Sequence, residues 1–90
     1  MRKTLHSPDY ARFLALLTQA RKDAGIVQQD LADRLGRPQS FVAKIEGGER
    51  RIDIIEFVTI AKAMGQDPVG LLKRYLDQES SARKPRRSAR

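Results

Sequence analysis

Ala32 and Gly36 stand four residues apart between two short segments with helical patterning, Gln28–Leu35 and Pro38–Glu46. That spacing constrains the chain more than any other feature in it. Two helices of this length joined by one Gly-centred turn cross at close range, and the crossing calls for a side chain as small as that of Ala32. Gly36 suits the positive backbone angle that so tight a turn needs. Leu31 and Leu35 on the first segment, and Val42 and Ile45 on the second, form one apolar set that plugs the pair into a core. The pattern predicts a helix-turn-helix.

The second segment has an unusual outer face. At about 100° per residue, Gln39, Ser40, Ala43 and Lys44 fall in one arc, with Pro38, Phe41, Val42 and Ile45 opposite. A face that meets only water more usually mixes Glu and Lys. This arc carries small and amide-type groups that can approach something closely, against the alternative of a merely solvated face.

The remaining helices follow from local signals. Ser7-Pro8-Asp9 reads as a helix start, with Ser as cap, Pro at the first helical position and Asp at the positive end of the dipole. Tyr10, Phe13, Leu14 and Leu17 continue the period, and Gly25 stops it. Arg37-Pro38 opens the third helix, with Pro at its first position, and Gly47-Gly48 closes it. Asp53-Ile54-Ile55-Glu56 resembles a capping box, ahead of a fourth helix striped by Phe57, Ile60, Ala61 and Met64. Asp67-Pro68 starts a fifth, running to about Leu76 with Val69, Leu72, Tyr75 and Leu76 inward. No useful stretch alternates with period two. The predicted fold class is all-α, a compact five-helix bundle over residues 8–77, with an arm at 1–7 and a basic tail at 78–90 expected to be disordered.

Composition excludes several kinds of chemistry. There is no Cys, so disulfides, thiolate metal sites and Cys nucleophiles are out, and the single His6 cannot form a multi-His metal site. His6 reads as solvated. Ser7, Ser40, Ser80 and Ser81 have no His–acid constellation around them, Asp30 and Asp33 read as a solvated edge, and no Gly-rich run follows a strand. An enzyme is not expected, nor a metal or cofactor. The first residues lack the apolar run of a secretory signal, and nothing approaches the roughly 18 apolar residues of a membrane span. A soluble cytoplasmic protein of bacterial or phage style is expected. The formal charge is +7, but residues 79–90 hold five bases and one acid, leaving the folded part only mildly basic. Charge alone is a weak argument for a nucleic-acid partner, and the motif carries the case.

Arg21, Ala24-Gly25, Gln28-Gln29-Asp30-Leu31-Ala32, Leu35-Gly36, Gln39-Ser40, Val42, Lys44-Ile45-Glu46, Gly48 and Ala61-Lys62-Ala63-Met64-Gly65 form an ordered set at specific spacing. On these residues, from about Tyr10 to Leu76, the chain resembles the phage repressor/Cro type of helix-turn-helix domain, the XRE family. The resemblance implies a lambda-repressor-like bundle that binds double-stranded DNA, the second helix of the motif lying in the major groove. Gln39 then suits a bidentate contact to adenine, Lys44 a contact to guanine, Ala43 a thymine methyl, and Ser40 either donors or acceptors. Gln28 is the position similar proteins use to clamp phosphate, Gly48 and its neighbour Gly47 offer loop N–H groups, and Arg50 and Arg51 follow, to grip phosphates or to probe the minor groove. Arg21 and Glu46 match a pair that joins the first helix to the end of the recognition helix, with part of the guanidinium left to phosphate. Val27 departs from the pattern, standing where relatives often place a capping Thr or Ser.

The function so implied is a sequence-specific transcriptional regulator, a repressor binding a two-fold operator as a homodimer. The expected dimer surface is the fifth helix and the loop before it, with Met64, Val69, Leu72, Tyr75 and Leu76 as candidates, core packing within the monomer being the alternative for each and the stronger one for most. Two alternatives stay open: a DNA-binding antitoxin or interaction module whose tail binds a protein partner, and a non-specific nucleic-acid compactor.

Overall fold

In the computed structural model, residues 7–83 are described, with side chains through residue 78. His6 and the bases Lys84, Arg86, Arg87 and Arg90 lie outside the described residues. Five helices follow in order, α1 (Pro8–Asp23), α2 (Gln28–Leu35), α3 (Gln39–Glu46), α4 (Ile54–Ala63) and α5 (Pro68–Arg83). No strand occurs among the described residues, and the fold is the all-α bundle that the patterning predicts.

Most helix starts have a visible cause in a capping side chain. The Ser7 hydroxyl accepts the Tyr10 N–H at 3.0 Å, with Pro8 in the first turn. Asp53 accepts the Glu56 N–H at 2.7 Å while Glu56 accepts the Asp53 N–H at 3.0 Å, completing the capping box of α4. Asp67 caps α5 by accepting the Gly70 N–H at 3.0 Å. Val27, with a hydrocarbon side chain, gives α2 no such bond. Pro38 differs from its expected role: it is the extended cap of α3 (φ −65°, ψ 155°), and the helix begins one residue later. Gln39 and Ser40 therefore occupy the first turn of α3.

The α2–α3 turn rests on Gly36, at φ 68° and ψ 33°. A Cβ there would meet no heavy atom within 4 Å, so the left-handed conformation, and not lack of space, calls for glycine. The Gly36 N–H donates to the Asp33 carbonyl at 3.1 Å and the Arg37 N–H to Ala32 at 2.9 Å. These bonds satisfy carbonyls at the end of α2, as in a Schellman turn.

Ala32 is fully buried beneath the turn, and Leu31, Val42 and Ile45 join Leu17, Phe57, Ile60 and Met64 in one core cluster. Phe13 ties α1 to the later helices, its ring centroid 5.5 Å from that of Phe57 and 6.2 Å from that of Tyr75. The Tyr75 hydroxyl donates to the Asp9 carbonyl at 3.2 Å, bolting α5 to the start of α1.

On α5 the structure corrects the sequence expectation. Leu71, 1% exposed, is the core residue, whereas Val69 (73% exposed), Leu72 and Leu76 face outward. The helix carries two apolar faces, Leu71 with Tyr75 and Val69 with Leu72 and Leu76, and periodicity does not say which of them meets α1. Met64, a candidate for the dimer surface, is buried. The helix also runs to Arg83, about two turns past Leu76, through the start of the segment expected to be disordered. Leu71→Ala is therefore expected to lower the free energy of unfolding by about 2–5 kcal/mol, the range for large-to-small core changes. Leu72→Ala should cost about 1 kcal/mol or less. Urea unfolding followed by circular dichroism at low protein concentration compares the two.

Candidate nucleic-acid interface

Arg21, in the last turn of α1, is the one buried charged residue among the described residues, at 7% exposure. A guanidinium is tolerated there because each of its nitrogens is engaged. Nε donates to Glu46 Oε2 at 2.7 Å, Nη2 to Glu46 Oε1 at 2.9 Å, and Nη1 to the Ile26 carbonyl at 2.7 Å. The ion pair implied by the sequence resemblance is present. The share of guanidinium expected for phosphate is not, because the Ile26 carbonyl takes the third nitrogen and the side chain is turned inward. Arg21 acts on α3, fixing its last residue to α1.

A polar chain leads from this pair to the surface. Gln28 Nε2 donates to Glu46 Oε1 at 2.8 Å, and Gln39 Nε2 donates to Gln28 Oε1 at 3.0 Å. The carboxylate sets the direction. Glu46 can only accept, so Gln28 turns its amide nitrogen toward it, and the Gln28 oxygen is left to receive Gln39. Gln39 retains its own oxygen and a second N–H. Those are the groups that the N6 donor and N7 acceptor of adenine require. Ser40 and Lys44 are exposed along the same arc, with Ala43 half-buried between them.

The flanks differ from expectation in instructive ways. Gly48 is buried and its N–H donates to the Ile45 carbonyl at 3.1 Å. The Gly47 N–H goes to Ala43, and those of Glu49 and Arg50 go to Lys44. Carbonyls at the end of α3 need donors, and the loop supplies them from its own backbone. What the loop presents outward is side chains. Arg50 is half-buried beside α3, its Cζ 4.8 Å from the Phe41 ring centroid, and it donates to both Glu56 oxygens at 3.1 and 2.8 Å. Arg51 turns the other way, its Cζ 4.3 Å from the centroid of the Tyr10 ring on α1. The two arginines, adjacent in sequence, thus lie on different neighbours. Arg37, which sequence reasoning passed over, also lies against Phe41, at 4.5 Å.

A short helix held at a fixed angle by an ion pair to the buried Arg21, with an amide, a hydroxyl, a methyl and an ammonium on its outer arc, defines a helix-turn-helix DNA-binding protein. Comparison with known proteins agrees. The chain belongs to the Helix-turn-helix family HTH_3, whose model matches residues 17–71. It is similar to a solved structure, an XRE-family like protein from Pseudomonas syringae pv. tomato str. DC3000. The two share 49% sequence identity over 83% of this chain and 92% of that chain, with a TM-score of 0.77. No curated protein matches the chain. Membership makes it a DNA-binding regulator in general terms. Among the described residues no helix is long and apolar enough to cross a membrane.

Two outcomes follow from this geometry. Glu46→Ala leaves the Arg21 guanidinium buried without its partner and should lower stability by about 3–5 kcal/mol, as read by urea unfolding. Glu56 is held below the usual carboxylate range, first by the Arg50 guanidinium and then by the Asp53 N–H. A carboxyl depressed in the folded state stabilises the fold above its unfolded value, and that contribution is lost as pH falls through the folded value. The stability gap between wild type and Glu56→Gln should hold from neutral pH to about pH 5 and shrink below about pH 4. Unfolding titrations across that range check it.

Proposed function

We propose that the chain is a sequence-specific double-stranded DNA-binding transcriptional regulator, a repressor that binds a two-fold operator as a homodimer with α3 in the major groove. The observation that carries this is Gln39, tethered through Gln28 to Glu46 yet keeping an oxygen and an N–H for a base edge. Ser40, Ala43 and Lys44 extend the base-reading arc. The remaining N–H of Gln28 and the Arg51 side chain serve phosphates on either side, which fix register without carrying sequence information, whereas Arg50 is committed to Glu56. A single module of this size makes few base contacts, and a dimer doubles them, with half-sites about one helical turn apart.

The apolar face of α5 supports the dimer. Val69, Leu72 and Leu76 are exposed, and Leu72 borders a groove that it shares with Ile54, Ile52 and Phe13. A second copy pairing there would cover apolar surface that the monomer leaves in water. Acting in the cytoplasm, such a dimer represses by occluding polymerase at its operator.

Selection of bound duplexes from a random pool, followed by sequencing, tests the reading. A two-fold symmetric motif is expected, and Gln39→Ala should lose about 1–3 kcal/mol of discrimination at one base pair in each half-site. Salt-sensitive binding with no enriched sequence would overturn base readout. A monomeric wild type that still recovers a symmetric motif would overturn a dimer formed before DNA binding, whereas a dimer in sedimentation that Leu72→Arg dissociates would support it.

A further inference from the structure

We propose that Arg37 contacts a DNA phosphate beside the recognition helix, and that Phe41 is the positioning residue that holds its guanidinium there. The inference rests on the DNA-binding reading above and adds two residues to it. Arg37 and Arg50 lie against one ring, their Cζ atoms 4.5 and 4.8 Å from the Phe41 centroid. Around α3, Phe41 lies about 60° from Lys44 and about 100° from Ser40, so its ring borders the outward arc. The ring is only partly buried, and it packs on the core from that border.

The two arginines are not equivalent. Glu56 forms its ion pair with Arg50, which neutralises that guanidinium and fixes it in place. Arg37 is exposed and makes no close ion pair among the described residues; it reaches Glu56 only as the weakest of the influences on that carboxyl, so its charge stays available to a polyanion. Its backbone is pinned on both sides, by the N–H bond to the Ala32 carbonyl at 2.9 Å and by the extended Pro38 that follows. Stacking on Phe41 then restricts the side chain, through attraction between a cation and the face of a ring. A guanidinium already confined loses less freedom when it binds. Arg37 precedes the first residue of α3 and sits to the side of the arc, where a helix in the major groove meets the phosphates of the groove wall and not base edges.

Fluorescence anisotropy across a series of salt concentrations tests this, using the duplex recovered by selection and an unrelated duplex. Arg37→Gln is expected to reduce the slope of log affinity against log salt by about 0.9, the change for one phosphate contact, and to weaken both duplexes by the same factor. Phe41→Leu should reproduce that loss with Arg37 still present, and Phe41→Tyr, which keeps the ring, should restore the slope. The double variant Arg37→Gln with Phe41→Leu should behave as Arg37→Gln alone. An unchanged slope in Arg37→Gln overturns the phosphate contact, and additive losses in the double variant overturn the positioning role. Should Phe41→Leu fail to fold, the Arg37 Nε–H proton of the wild type reports the stack directly. An upfield ring-current shift supports the positioning role and an unshifted resonance overturns it. Wild type that binds no duplex at all would overturn the DNA-binding reading itself, a result distinct from wild-type binding with an Arg37→Gln slope that does not move.

Discussion

The ion pair between the buried Arg21 and the partly buried Glu46 is what the angle of α3 depends on. An eight-residue helix is too short to be stable alone, so its position comes from what holds its ends and its inner face. The Gly36 turn fixes the start, Val42 and Ile45 seat the inner face, and Glu46 fastens the end to α1. Desolvating two charges is costly, and the pair is tolerated because the Ile26 carbonyl and the Gln28 amide complete its hydrogen bonds. Glu46 is thus shared between the interior, where it neutralises Arg21, and the surface, where it orients Gln28. A change of angle in α3 would have to break that whole set at once.

A second carboxylate links folding to the surface in a similar way. Glu56 receives the Asp53 N–H that completes the start of α4, and it also receives two bonds from Arg50. The loop between α3 and α4 is therefore closed by a charge that belongs to the helix after it. Together with the carbonyls of α3 that take the loop N–H groups, this leaves the loop little to offer DNA except side chains. Anion binding by backbone, plausible from Gly47-Gly48 as written, gives way to the needs of the helix end.

Much of this was legible in the sequence where one residue type answers one local requirement. Ala32 at a close crossing, Gly36 at a positive φ, Ser7 and Asp53 as caps, and Val42 with Ile45 beneath the polar arc all belong to that kind. The pair of Arg21 and Glu46 came from resemblance, since residues 25 apart carry no local signal of contact. The inward face of α5 was missed because Leu71 competes with Val69 and Leu72 within one turn, and only packing against α1 decides between them. Arg37 was missed because its partner Phe41 lies across a helix boundary, where helical spacing does not obviously apply. The third nitrogen of Arg21 was assigned to phosphate because the carbonyl that takes it belongs to Ile26, a loop residue whose position follows from the fold.

The chain from Glu46 through Gln28 to Gln39 makes the outer arc uneven as material for evolution. Ser40 and Lys44 project from the helix without entering the core, so under the base-reading role proposed for them drift there changes what is recognised while the bundle persists. Gln39 is tethered. Replacing it leaves the Gln28 oxygen without its donor, and Gln28 is in turn committed to Glu46. New binding preferences within this lineage should therefore arise first at the loose positions, with glutamine at 39 inherited as a fixed point around which the others diversify.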